Sequence, residues 1–391
     1  MVIIERHFIK GNEQIKELCS LSKELYNKCN YLMRQAWFNY ERLPDIMILT
    51  NEVRYLDCFV NFNNTKIAKQ VLRKCLTDWG NYKKSLIAYK KNPKDFNGKP
   101  KPPGYKKKLA QVIFYNETIR RGKNIKNVIT PTNDLFSIRS NRKFQQVVVT
   151  PKTFGFLIEV QYEQVEEKQT KNKKSKFCSI DLGVNNLCTI TSDQFSPILI
   201  NGRIVKSFNQ YFNKNVCKRT SKKRYFRMEN YFHHTSKYIV DLCLQHNIKK
   251  VIIGKNDGWK TEVQMRSKDK QNFIYIPFNK LIEKIKYKCE LSGIEVVMTE
   301  ESYTSKASFL DRDEIPVYQK GNNSEKTFSG KRVKRGLYHS SNGIILNADV
   351  NGSANIGRKV IPENAFGVQW DRSVAATPVI VNPLRLNTKA I

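Results

Sequence analysis

Phe177-Cys178-Ser179-Ile180-Asp181-Leu182-Gly183-Val184-Asn185-Asn186-Leu187-Cys188-Thr189-Ile190-Thr191 is the stretch that decides the fold. Two runs rich in apolar and β-branched residues, 177–181 and 187–191, flank the short turn 182–186, which predicts a hairpin of strands. An acid, Asp181, stands where the first strand ends. Gly183 just beyond it lets backbone or substrate come close.

Downstream, residues 197–200 predict a third strand. Two basic helices follow, about 204–222 and 226–247, then a strand at 250–253, a helix over about 279–292 and a strand at 294–298. Residues 302–343 look irregular, and a last helix starts near Asp349. Three hairpin-connected strands followed by alternating helix and strand is the order of an RNase H-like fold.

Upstream, 2–9 predict an opening strand. A helix over 13–38 carries the apolar stripe Ile15, Leu18, Leu25, Cys29 and Leu32. A second helix, about 65–89, sets Ile67, Val71, Leu72, Cys75, Trp79, Tyr82, Leu86 and Tyr89 against a lysine-rich side. Residues 90–108 mix Pro and Gly with dense lysine. Phe96 and Tyr105 there can stack on bases, or the segment is a basic linker. Strand-like runs at 147–150 and 156–162 fit a small barrel closed with 2–9. The polar, charged stretch 165–176 is the best domain boundary.

The charge narrows the partners. Across 391 residues, 69 Lys and Arg face 35 Asp and Glu, a formal +34. Such an excess repels itself in a compact chain and calls for a polyanion, of which nucleic acid is the natural one. A ribosome-like structural protein is the plainer alternative. No basic amphipathic helix stands out for a membrane surface. The start, Met1-Val2-Ile3-Ile4-Glu5-Arg6, lacks the long apolar region of a secretion signal, and no run reaches the roughly 18 apolar residues of a membrane span. None of the nine cysteines forms a C-x-x-C pair. They read as buried, reduced thiols of an intracellular protein, expected in the cytoplasm near the nucleoid, with no zinc ribbon visible.

Phosphodiester hydrolysis commonly uses two divalent ions about 4 Å apart. Magnesium takes oxygen ligands and keeps several waters, so three or four carboxylates suffice. Asp181 needs companions. Asp349 lies in Leu346-Asn347-Ala348-Asp349-Val350-Asn351-Gly352-Ser353-Ala354-Asn355-Ile356, where small residues let a helix pack tightly on a sheet. An ordinary helix N-cap is the alternative for this aspartate. The third acid is expected beside the central strand, yet 251–253 is followed by Gly254. Glu300 and Glu301 end the next strand instead, and a carboxylate from there can reach across the place left at Gly254. A solvated strand end is the other reading of both.

Asp181-Leu182-Gly183-Val184-Asn185-Asn186 resembles the first RuvC motif of TnpB proteins and their relatives, the type V CRISPR effectors and Fanzor proteins. Ala348-Asp349-Val350-Asn351-Gly352-Ser353-Ala354-Asn355-Ile356 resembles their third. Asn201-Gly202-Arg203, Phe232-His233-His234-Thr235-Ser236 and Gly98-Lys99-Pro100-Lys101-Pro102-Pro103-Gly104-Tyr105-Lys106 also look like TnpB segments, in the same order. Two departures stand out. The usual second-motif glutamate is absent at Gly254. Fanzor proteins and some TnpB proteins look rearranged, with a glutamate three residues before the Thr of a Thr-Ser-Lys segment; here that is Glu301, before Thr304-Ser305-Lys306, with Glu300 in reserve. The family also commonly carries zinc-ribbon cysteines after that Thr-Ser, and this chain has Ala307-Ser308-Phe309.

The resemblance implies a mixed α/β fold: an RNase H-like RuvC nuclease domain plus an N-terminal small β-barrel with a helical recognition insertion. The implied domains are a wedge-like barrel (1–12 and 96–168), a helical insertion (13–95), a RuvC-like domain (169–301 and 344–361), a degenerate zinc-ribbon-like insertion (302–343) and a flexible tail (362–391). The implied activity is RNA-guided cleavage of DNA beside a short adjacent motif. Asp181, Glu301 and Asp349 would be the catalytic and metal-holding residues. Magnesium is the expected ion, with manganese able to substitute and no zinc. The expected partners are a guide RNA from the transposon end and double-stranded target DNA, with base pairing reading sequence; no membrane is expected.

Arg203, Lys206, Lys260, Arg332 and Arg335 are candidate backbone clamps, beside the denser run from Lys214 to Arg224; each is equally a solvated charge. Trp259 next to Lys260 pairs stacking with charge. His233 and His234 read as helix-surface or RNA-contact residues, since carboxylates suit magnesium better. The rival functions are a nuclease-dead RNA-guided repressor, a RuvC-like transposase or recombinase working without RNA, and a structural RNA-binding protein.

Overall fold

The computed structural model of the chain describes residues 2–121, 128–131, 134–140, 144–163, 176–256, 275–317, 326–334, 336–361 and 377–385. The chain divides into two compact units, Met1–Val165 and Glu166–Ile391.

The first unit opens with β1 (Val2–Ile9), then α1 (Glu13–Tyr40), α2 (Ile46–Val53), α3 (Asp57–Val60) and α4 (Thr65–Lys91). The strands β2 (Val112–Tyr115), β3 (Ile119–Arg121), β4 (Val128–Pro131), β5 (Ile138–Arg139), β6 (Gln146–Lys152) and β7 (Gly155–Glu163) follow. They pair antiparallel as two sheets, one in the order β1-β7-β6-β2 and one in the order β3-β4-β5. Asn12 starts α1, its side-chain oxygen accepting from the Ile15 N–H, and Glu41 ends it in the left-handed region. The stripe Ile15, Leu18, Leu25 and Cys29 packs in one core with Ile67, Val71, Leu72, Cys75 and Trp79 of α4. Each such side chain contributes about 1.5–3 kcal/mol by leaving water. Buried Trp79 donates its indole N–H to Asn30 Oδ1 at 2.8 Å, which satisfies both polar groups.

The Pro- and Lys-rich segment is docked on α1. Pro103 O accepts from Asn30 Nδ2 and Arg34 Nη2, and Asn27 exchanges two hydrogen bonds with the Lys106 backbone. Phe96 packs edge-on against Tyr89, and Arg34 lies over the Tyr105 ring.

The second unit begins with β8 (Phe177–Leu182), β9 (Asn186–Thr191), β10 (Ile198–Asn201), α5 (Arg203–Lys214), α6 (Lys218–Gln245) and β11 (Lys250–Gly254). It continues with α7 (Phe278–Leu291), β12 (Glu295–Thr299), β13 (Lys331–Lys334), β14 (Leu337–His339), β15 (Ile345–Asn347), α8 (Ala348–Arg358) and β16 (Val379–Val381). Its main sheet has the order β12-β11-β8-β9-β10-β16. The meander β8-β9-β10 is antiparallel, while β8, β11 and β12 run parallel. Strands β8 and β11 are buried on both faces, which explains their near-continuous apolar runs.

Alternation along β8 sorts the two faces. Cys178, Ile180 and Leu182 join the core shared with α6 and α7, whereas Phe177 packs with Ala354 and Ile356 of α8. Within 362–391, read from sequence as a tail, Val379–Val381 add an edge strand parallel to β10; 362–376 and 386–391 lie outside the described residues. Residues 302–343, which show no period in sequence, contain β13 and β14 of a three-stranded sheet with β15. Eight cysteines are buried and Cys217 is exposed; all nine are free. Among the described residues no helix is long and apolar enough to cross a membrane.

Candidate active site: carboxylates at the edge of the sheet

Asp181 shares its strand face with Phe177 and Ser179, so it lies under α8 at the carboxyl end of β8. The small residues of α8 allow this approach. Ser353 Oγ bonds to Thr189 O at 2.9 Å and Thr191 Oγ1 at 3.0 Å. A Cβ on Gly352 would stand 3.0 Å from Asp181 Oδ2, so a larger residue would press on the carboxylate.

Asp349 occupies the first turn of α8. The N-cap is Asn347, whose Oδ1 accepts from the N–H groups of Asp349 and Val350. The capping role left open for Asp349 in the sequence is therefore taken by its neighbour. The Asp349 carboxylate instead accepts from Asn186 Nδ2 at 2.7 Å and lies 3.8 Å from Arg332 Nη2.

Glu301 follows β12. Its N–H donates to Asn256 Oδ1 at 2.9 Å, and its carbonyl accepts from Thr304 Oγ1 at 2.8 Å. Its carboxylate fills the space beside Gly254. A Cβ on Gly254 would meet Ile356 Cδ1 at 2.5 Å and Glu301 Oε2 at 2.9 Å. Glu301 Oε2 is buried with no hydrogen-bond partner. Glu300 is committed elsewhere: its carboxylate takes Lys359 Nζ at 2.6 Å and the Ser302 N–H at 2.7 Å.

Charge follows this geometry. Burial, then the negative charges of Glu301 and Asp349, push Asp181 well above the usual carboxylate range, against the pull of the Leu182 N–H and Arg332. Burial and the charge of Glu300 raise Glu301 to about 7, with Lys359 opposing. Burial also pushes Glu300 upward, but the bonds from Lys359 and Ser302 outweigh it and hold this acid low.

Carboxylates that repel one another in a low-dielectric cleft are suited to a cation. The donors are all oxygen, as magnesium prefers, and the orphaned Oε2 of Glu301 is a ligand atom in want of a partner. Among the described residues no three His, Cys, Asp or Glu side chains converge closely enough to hold one ion together. Magnesium asks less, one or two carboxylates completed by water and substrate oxygens.

Of the five clamp candidates, Arg332 reaches this site, from β13. Arg203 is exposed at the start of α5 and Lys206 is half-buried in its first turn. Lys260, Arg335 and Trp259 lie outside the described residues. In the dense run, Arg224 is a structural tie: it donates to Asn209 Oδ1 and Tyr275 O and lies over the Phe212 ring. His233 and His234 are exposed on α6, and His233 Nε2 lies 3.0 Å from Lys284 Nζ. Asn256 and Lys359 escape sequence reasoning. Asn186 sits inside the quoted first motif, but its partner is invisible without the fold.

The hairpin that carries Arg332 is fastened by two aspartates. Asp311 accepts from Ser308 Oγ and from both the N–H and the Oγ of Ser341. Asp313 accepts from the Ser308 N–H and from both donors of Ser329. Tyr338 O–H reaches Lys306 O at 2.7 Å. Bonds to a charged acceptor are among the stronger neutral-pH ties a loop can make.

Residues 278–356 match the model of the Cas12f1-like TNB domain. The matched stretch includes Glu301, Arg332 and Asp349. No curated protein matches the chain. Two solved structures are similar at low levels. A Cas12f1–sgRNA–target DNA complex is 13% identical, with 92% of this chain and 100% of that chain covered and a TM-score of 0.34. A CRISPR-Cas12f ternary complex is 14% identical, with 90% and 81% covered and a TM-score of 0.33.

Proposed function

We propose that this chain is an RNA-guided DNA endonuclease of the TnpB type, cutting with Asp181, Glu301 and Asp349. One observation carries the reading. In a chain of net charge +34, acids from β8, the end of β12 and the start of α8 stand at one end of the sheet, where Glu301 Oε2 is buried without a hydrogen-bond partner and the charges of Glu301 and Asp349 push Asp181 upward. The sheet order, an antiparallel meander joined at β8 to parallel strands, agrees with an RNase H-like unit. The match over 278–356 supports kinship with Cas12f1-like proteins, and guide dependence rests on that match and on the sequence motifs.

Asp181, Glu301 and Asp349 would hold magnesium, which supplies neutralisation of the charge developing on the phosphate. The chain's own groups do the positioning. Asn186 fixes the orientation of Asp349. Asn256 fixes the backbone at Glu301. Arg332, half exposed beside Asp349, meets the negative phosphate of an incoming strand. A cleft of about 630 Å³ beside Glu300, lined by Lys255, Asn256 and Lys286 among others, offers cations to the flanking backbone. Water attack on the phosphorus breaks the P–O3′ bond, leaving a 5′-phosphate on one product and a 3′-hydroxyl, which takes up a proton, on the other.

The test is cleavage by the purified protein, with RNA from the transposon end, of a target library in magnesium. RNA-dependent cutting that disappears in Asp181→Ala and Glu301→Ala supports the reading. Guided binding without cutting overturns the nuclease and leaves a repressor. Cutting without RNA leaves a transposase-like enzyme.

A further inference from the structure

The first unit holds a cavity of about 290 Å³ where α1, α4 and the chain entering β2 meet. Its lining includes Tyr26, Gln70, Val71, Lys74, Lys106 and Leu109. Gln70 is the unusual member. It is 6% exposed, and among the described residues nothing bonds to its amide. The polar neighbours are spent elsewhere: Ser22 Oγ on Gln111 O at 2.7 Å, and Tyr26 O–H on Asp78 Oδ2 at 2.8 Å. The Gln70 amide is not among the sealed polar atoms left without a partner; it opens into the cavity, where water or a ligand can reach it. Its free donor and acceptor point to a ligand that supplies both.

The surroundings specify that ligand. An amide presents one acceptor beside one donor, the complement of the N7 and N6 edge of adenine. Val71, Leu109, Ile113 and Pro151 add apolar lining, suited to the faces of a base. Lys74 and Lys106, half exposed, share the single carboxylate of Asp78, and Lys106 Nζ stands 4.4 Å over the Tyr26 ring. Two ammonium groups on one carboxylate leave a net positive charge for a phosphate. The volume lies at the lower end of small-ligand sites, room for one nucleoside and not for a duplex.

We propose that this cavity takes a single unstacked adenine nucleotide, the base against Gln70 and its phosphate on Lys74 and Lys106. The proposal rests on the nucleic-acid half of the function above and not on cutting.

The experiment is fluorescence anisotropy with the full chain and labelled decathymidines carrying one central A, C, G or 7-deaza-A. The expected result is about tenfold or tighter binding of the A oligomer over the C oligomer. The 7-deaza-A oligomer should fall to the C level. Gln70→Leu should abolish the preference while leaving plain decathymidine binding intact. Calorimetry with free AMP separates the sources: saturable binding assigns the site to a free nucleotide as well, and none assigns it to a strand. Equal binding of all central bases, with normal decathymidine affinity, overturns the cavity proposal and leaves the nucleic-acid reading standing. Absence of any oligonucleotide binding overturns both. Gln70→Leu that raises the melting temperature with no change in base preference also overturns it.

Discussion

Asn186 and Asp349, 163 residues apart, meet through one hydrogen bond, Asn186 Nδ2 to Asp349 Oδ2 at 2.7 Å. The bond ties the start of β9 to the first turn of α8 and sets the carboxylate's direction. Outer partners of this kind are worth about 10- to 100-fold in metal affinity or activity. Asn186→Ala should slow cleavage by that factor and raise the magnesium needed for half-maximal rate, as a titration of rate against magnesium would read. An unchanged magnesium requirement would remove Asn186 from the site.

The metal-free protein should soften as pH rises. Glu301 is raised from 4.5 to about 7. A carboxyl raised in this way holds its proton more tightly in the folded state than in the unfolded one. Its contribution to stability is full at low pH and is lost as pH climbs from about 4.5 to about 7, and Asp181 shifts the same way. In chelator, Glu301→Gln should flatten this slope, and Asp181→Asn should raise the melting temperature at pH 7.5 while abolishing cutting. For a unit of this size, on the order of 1 kcal/mol corresponds to about 2–4 °C. Thermal scans with and without magnesium check it.

Gly254→Ala tests the rearranged glutamate. The added methyl meets Ile356 and the Glu301 carboxylate, and overpacking of this kind costs about 1–3 kcal/mol. Urea denaturation should report that loss. The cleavage rate of the folded fraction should fall as well, because the methyl displaces Glu301 itself.

Glu300 and Glu301 should separate cleanly. Lys359, with its side chain 8% exposed, relies on Glu300. Glu300→Gln leaves that ammonium short of its charged partner and should cost roughly 1 kcal/mol, at the low end of such losses because Glu300 is itself over a third exposed. Cutting should survive. Glu301→Gln should do the reverse, with stability kept and cutting lost. Parallel melting and cleavage measurements on the two variants decide between the neighbours.

Much of the second unit is legible in its residues. The runs at 177–181 and 250–253 are apolar because their strands are covered on both faces, the run at 294–298 because Val296 and Met298 pack on the core from a half-exposed edge strand, and Ala348, Gly352 and Ser353 are small because α8 lies against β8. The place left at Gly254 is readable too, once Glu301 is seen to follow the adjacent strand. Other features escape because their cause is distant in sequence. The docking of the Pro103–Lys106 stretch on α1 depends on Asn27, Asn30 and Arg34, whose three-to-four spacing puts them on one helix face but whose polar side chains read as a solvated face in sequence. Val379–Val381 is three residues long and mostly exposed, so nothing local marks it as a strand until β10 offers an edge. Lys359 reads as one more lysine in a lysine-rich chain; only burial against Glu300 sets it apart.

The aspartate fastening of the Arg332 hairpin changes what a chelating agent can be asked. Where thiolates and an ion close such a loop, stripping the ion collapses the fold and the chemistry together, and the two losses cannot be told apart. Here Asp311 and Asp313 close it with serine donors. These bonds call for no ion, so for the magnesium-dependent cleavage proposed above EDTA should stop the reaction without opening the hairpin, and adding magnesium back should restore it.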